Sequence, residues 1–254
     1  DTLLEEKRHP SRTELDKVST KHPVYIYHMS GHVAVVNSFI IDRAGLTGKE
    51  PQPQGGRYLK DESGKPNGVL EEQSGYEMVK LDFPEPALQE ILEIIEKGSD
   101  IYLAAGATSA QDGAAMPKVL DALRFAHEKG ALKTRVELWP FHGHPLDPYP
   151  THVSGTPLTK DRMITLGAYK MFNDGSIQCY TAYLSSPNYR PHPTQPKEAL
   201  YRGYSILSSD EIHKVVIAKH KQGWQNAING NGDANIAENI NAIEEAQKAY
   251  PRND

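Results

Sequence analysis

Apolar and polar positions change period along the chain, and the period separates it into two stretches. From residue 84 onward, helical spacing alternates with short apolar runs. Leu88, Ile91, Leu92 and Ile95 stand at i, i+3, i+4 and i+7, one stripe of a helix, with Gly98 read as its end. Leu120, Leu123 and Ala126 repeat the pattern up to Gly130. Ile212, Val215 and Val216 repeat it up to Gly223, behind the capping box Ser208-Ser209-Asp210-Glu211. Ile236, Ile240 and Ile243 share a face of a last helix that opens at Asp233. Between these helices the runs near 101–104, 134–139, 168–172 and 224–228 predict strands. Strand and helix in alternation predict a parallel α/β fold, with polar motifs in the loops after the strands.

Residues 1–83 carry a different pattern. Ser11 to Asp16 predicts one capped helical turn, and Val24 to Tyr27 predicts a short strand. Val33, Val36, Ile40 and Ala44 keep helical spacing up to Gly45. Two short strands are predicted around the turn Glu62-Ser63-Gly64-Lys65. The expected organisation is a small α/β unit over 1–83 and a larger one over 84–254.

Composition narrows the function. The chain has 254 residues and a net charge of −5, without the basic block that nucleic-acid binding needs. Cys179 is the only cysteine, which excludes an intrachain disulfide. No apolar run reaches the roughly 18 residues of a membrane span. A cytoplasmic location is favoured, and a targeting segment upstream of Asp1 would lie outside the sequence.

Candidate chemistry centres on Lys170, set in the apolar run Ala168 to Phe172 and followed by Asn173-Asp174-Gly175-Ser176. A lysine there is costly unless something uses its nitrogen. It either pairs with Asp174 or reaches the surface, or it serves a site. His32 and Asn37 lie in a loop and at a helix start, where they could meet a substrate or satisfy local backbone groups. Asp112 and Asp174 stand at or just past strand ends and complete the set of candidate binding residues. His142-Gly143-His144 has the spacing that puts two rings on one face of a strand. Its glycine and proline neighbours read as loop, and no metal role is assigned to it.

Several phrases resemble a known family. They are K-M-F-N-D-G-S-I-Q and T-A-Y-L-S-S-P-x-Y, P-V-Y-I-Y-H-M-S-G-H-V-A-V-V-N-S, Q-P-Q-G-G-R-Y-L-K-D-E-S-G-K-P-N-G-V-L-E-E, and G-x-T-S-x-Q-D-G. Together they are similar to the amidohydrolase superfamily, and within it to the YtcJ-like branch, amidohydrolase family 3. The resemblance implies a (β/α)8 barrel, of which this chain holds about four βα units, with residues 1–83 as a subdomain inserted over the barrel mouth. It implies hydrolysis of non-peptide C–N bonds of amide type by metal-activated water. The cofactor implied is a divalent metal, zinc or similar, and the substrate a small molecule. Lys170 takes the place of a carboxylated lysine that bridges two metal ions. Asn229 takes the place of a metal-ligating histidine. The family's first-strand histidine pair would precede Asp1, and its later histidine and aspartate would follow Asp254. The expectation is therefore a fragment or degenerate copy that by itself binds no metal and hydrolyses no amide. The alternative is a non-catalytic homologue that binds a ligand or partner, and a homo-oligomer is compatible with either.

Overall fold

A computed structural model of the chain describes residues 4–79, 86–143, 153–186 and 201–253. The chain forms two compact units. The first holds residues 1–82, 173–211 and 230–240, and the second holds 83–172, 212–229 and 241–254.

The first unit is built on an antiparallel sheet. In chain order it contains α1 (Arg12–Asp16), β1 (Tyr25–Tyr27), β2 (Val33–Val36), α2 (Ser38–Ala44), β3 (Arg57–Lys60), β4 (Pro66–Glu71) and α3 (Glu72–Glu77). The strands lie in the order β1-β2-β4-β3. Register runs Ile26 to Val35, Ala34 to Leu70 and Tyr58 to Leu70. All four residues of β2 are buried, because both faces of the sheet are covered. Val36, Ile40, Tyr58 and Leu70 form the core on one side; Leu15, Val33, Val35, Leu59 and Val69 form it on the other. The helix expected from Val33 onward therefore begins only at Ser38. Four successive apolar residues suit a strand buried on two faces, and their helical spacing is coincidental. The cap at Gly45 forms as expected, with φ 70°. The hairpin around residues 62–65 also forms, between β3 and β4.

The second unit is parallel. It contains α4 (Leu88–Ala104), β5 (Ser109–Ala115), α5 (Pro117–Glu128), β6 (Arg135–Pro140), β7 (Ile164–Leu166), β8 (Tyr169–Phe172) and β9 (Asn226–Asn229). Its remaining turns come from α6 (Ser209–Lys221) and α7 (Asp233–Ala249), helices whose first residues belong to the other unit. β5, β6 and β7 pair in parallel, as do β8 and β9. A parallel bridge from Phe141 to Lys170, with His142 N–H donating to the Lys170 carbonyl at 2.8 Å, joins the two ladders. The order is thus β5, β6, β7 with β8, then β9.

Two expectations fail here. Residues 101–104 are the last turn of α4 rather than a strand, and Gly98 lies inside that helix rather than at its end. The strand of this repeat is β5, Ser-Ala-Gln-Asp-Gly-Ala-Ala, which propensity alone would not select. Its pairing with β6 makes it a strand. α5 buries Leu120, Leu123 and Ala126. α4 buries only Ser99, and leaves Ile94 63% and Ile101 71% exposed. Among the described residues, no helix is long and apolar enough to cross a membrane.

Candidate functional site

The polar loops of the first unit converge on one buried ion pair. His32 ends the loop between β1 and β2, and Glu72 stands at the junction of β4 and α3. The His32 Nδ1–H donates to Glu72 Oε2 at 2.9 Å. A carboxylate only accepts, so the hydrogen bond fixes the proton on Nδ1. Glu72's side chain is 5% exposed and that of His32 is 19% exposed. The Glu72 hydrogen bond, opposed in part by burial and aided by the charge of Asp174, raises the His32 pKa above its ordinary value.

Glu72 is held at a cost. Its φ is +58°, the left-handed region, which costs a non-glycine residue about 1 kcal/mol. Its Oε1 is buried without a hydrogen-bond partner. A Cβ on Gly175 would fall 2.0 Å from that oxygen, so glycine is the residue that lets the carboxylate lie against this backbone. The neighbouring Glu71 is buried too, and accepts from the Tyr204 hydroxyl at 3.3 Å.

The loop carrying His32 is fixed independently. The hydroxyls of Tyr27 and Tyr76 both donate to the Gly31 carbonyl at 2.9 Å. Ser30 Oγ lies 2.8 Å from His28 Nδ1 and 3.2 Å from Cys179 Sγ. Burial lowers the His28 pKa and raises that of the Cys179 thiol, so both stay neutral near pH 7.

Asp174 and Asn37 work on the backbone. Asp174 is fully buried, and its carboxylate accepts from the N–H groups of Tyr183 at 3.0 Å, Asn231 at 2.9 Å and Gly232 at 2.8 Å. It ties the Asn173–Ser176 turn to the Asn231–Gly232 turn. Asn37 is the N-cap of α2. Its Oδ1 accepts from Val24 and Ile40 N–H, and its Nδ2 donates to the Ser19 and His22 carbonyls. Those four bonds use the whole amide. The pattern of polar residues at a helix start marked Asn37, and its task there is the cap.

In the second unit, Lys170 and Asn229 share one face of the β8–β9 ladder, since Lys170 pairs with Ala227 and Phe172 with Asn229. The Lys170 amine sits 4.8 Å from the Phe172 ring centre, and burial lowers its pKa. Within its own unit it meets an aromatic face rather than a carboxylate. Asp112 lies on β5, two strands away, and closes a local turn by accepting from Ala114 N–H at 3.0 Å. His142 Nδ1 is 3.3 Å from the Tyr169 hydroxyl; His144 lies outside the described residues. The structure thus brings His32 and Asp174 into one unit, and Lys170, Asn229 and Asp112 into the other.

Glu72 is the residue that sequence reasoning missed. An acidic pair after a strand reads as the solvated start of a helix. The available signal was position: Val69-Leu70 is a core strand, and Glu71-Glu72 follow it with no turn residue between.

The family question is settled by the match of the amidohydrolase family model to residues 1–254. The chain belongs to the amidohydrolase family. It is 26% identical to the N-substituted formamide deformylase of Arthrobacter pascens, over 96% of this chain and 45% of that protein. It is 24% identical to the putative amidohydrolase YtcJ of Bacillus subtilis, with the same coverage of each. Its fold is similar to that of an uncharacterized metal-dependent hydrolase from Pyrococcus horikoshii, with a TM-score of 0.60, 24% identity, and coverage of 94% of this chain and 45% of the other. The chain spans about half the length of the curated relatives it matches.

The family implies a divalent metal. Among the described residues, no three His, Cys, Asp or Glu side chains converge on a common point. The described residues by themselves do not fit a metal centre.

Proposed function

We propose that the chain is the central part of a metal-dependent hydrolase of amide-type, non-peptide C–N bonds. On this reading β5, β6, the interrupted strand β7–β8 and β9 are consecutive strands of a (β/α)8 barrel, and residues 1–83 are the subdomain inserted over its mouth. The observation that carries it is Lys170. An amine inside a parallel strand, with burial lowering its pKa, is the group a carbamate requires. The neutral amine adds to carbon dioxide, loses a proton and becomes an anionic oxygen donor of the kind divalent cations accept. Asn229, on the same face, supplies an amide where an imidazole would bind a transition metal better. The deformylase relative suggests small N-substituted formamides as the first substrates to try. A small-molecule substrate, a cytoplasmic location and the absence of a nucleic-acid partner belong to the same proposal.

A second reading has its own support. Asn229 stands where an imidazole would bind a transition metal better, and that amide favours a chain which binds a ligand but does not turn it over by itself. Elemental analysis of the purified chain, expressed with zinc and bicarbonate, separates the two. Two metals per chain, lost in Lys170→Ala together with hydrolysis of an N-alkylformamide, establish the hydrolase. Less than one tenth of a metal per chain and no hydrolysis establish the second reading for this chain.

A further inference from the structure

We propose that Glu72 and His32 form a preset hydrogen-bond donor, and that His32 Nε2–H binds the carbonyl oxygen of a small uncharged amide. The choice of an amide rests on the hydrolase reading; the donor itself rests on the geometry of the first unit alone.

Glu72 takes Nδ1 of the imidazole, so the ring's other nitrogen is the one left to face a ligand. No described residue hydrogen-bonds Nε2, and the ring keeps part of its exposure. The loop does not need this ion pair to hold its shape. Two tyrosine hydroxyls on the Gly31 carbonyl and the Ser30 contacts already pin it. Glu72 adds strain, an orphaned buried oxygen and a requirement for glycine at 175. A buried carboxylate kept under those conditions, on a loop that is already fixed, points to a task for the imidazole it controls.

The charges around His32 select the ligand. Glu72 faces it from the start of α3, Asp174 faces it from the turn after β8, and the neutral His28 faces it from its own loop. Two carboxylates against one imidazolium disfavour an anion. They leave a neutral carbonyl oxygen as the acceptor that gains most from Nε2–H. Glu72 is then a positioning residue: at 2.9 Å its carboxylate fixes the ring and favours the imidazolium form, in which Nε2 donates.

The test is a titration of the 254-residue chain, with histidine rings isotopically labelled, against N-methylacetamide and against acetate. The expected result is a saturable shift of the His32 ring signals with N-methylacetamide. Its affinity should fall at least fivefold as pH is raised past the His32 midpoint read from the same spectra, with acetate binding more weakly than the amide at the lower pH. Glu72→Gln should move that midpoint down and weaken amide binding at pH 7 by a similar factor. No saturable response at His32, affinity unchanged across the midpoint, or tighter binding of acetate would each overturn the proposal. The pH series on the natural chain decides the matter even if Glu72→Gln does not fold. Amide binding without hydrolysis leaves this inference standing while the hydrolase reading fails. Hydrolysis without a His32 response does the reverse.

Discussion

His32 in the first unit and Lys170 in the second are both nitrogen bases that are largely buried, and their surroundings set them in opposite directions. His32 has a carboxylate at 2.9 Å, and its pKa is raised. Lys170 has an aromatic face at 4.8 Å and burial as its sole perturbation, and its pKa is lowered. Burial alone pushes both bases toward the neutral form; only a charged partner reverses the direction. The first unit has invested its polar loops in such partners, while the second leaves the lysine without a carboxylate from its own strands. One site is built to hold a proton, the other to release one.

The largest break in that comparison comes from removing the polar ties of the first unit. Asp174→Ala strips three backbone N–H groups of their shared acceptor inside the protein. Each bond to a charged group contributes about 1.5–3 kcal/mol, and water re-enters part of the gap, so a loss of about 3–4 kcal/mol is expected in urea unfolding. Asp112→Ala in the second unit breaks one local turn contact and should cost no more than about 0.5 kcal/mol. Equal losses would mean the two units do not differ in the way described.

Smaller effects come from pH, and two histidines of the first unit pull in opposite directions. Burial lowers the pKa of His9 to about 4. Between that value and about 6.5 the unfolded chain takes up a proton that the folded chain refuses, so stability falls as pH drops through this window, by about 2 kcal/mol. His32 has a raised pKa, so its contribution is complete below about 6.5 and is lost as pH rises through the folded value. Unfolding curves of His9→Gln and Glu72→Gln against pH read the two separately. The first should flatten the acid limb and the second the limb above neutrality.

The elements legible in the sequence were those whose own residues demand them. Gly45 and Gly130 ended helices because each takes a left-handed φ, 70° and 74°, that other residues adopt at a cost. Gly98 carried the same letter without that requirement, and α4 runs through it to Ala104. β5 was invisible because Ser-Ala-Gln-Asp-Gly-Ala-Ala has no β-branched or aromatic residue; β6 makes it a strand from outside. At the site, Lys170 stood out because an amine breaks an apolar run. Asp174 also stood out, although its role is to receive backbone N–H groups. Glu72 did not, because its importance lies in where the fold buries it and in the glycine 103 positions later that makes room for it. Such pairings are long-range, and no local pattern reports them.

The smallest expected effect is also the sharpest test of the second unit. Lys170→Met keeps an unbranched apolar stem at this position and removes the amine that faces the Phe172 ring. At pH 7 the protonated amine is the form that burial disfavours, so deleting it should leave stability unchanged or raise it slightly. The sign of the pH dependence follows from the same shift. Between the lowered folded pKa and about 10.4 the unfolded chain binds a proton that the folded chain does not, so the natural chain gains stability as pH rises through that window, and Lys170→Met should lack the gain. Bicarbonate adds a second axis. If the amine forms a carbamate that the fold stabilises, bicarbonate should raise the midpoint of the natural chain and leave that of Lys170→Met unmoved. A loss of about 2 kcal/mol or more in Lys170→Met without bicarbonate would show that the amine already has a charged partner, and the contrast with His32 would then be lost.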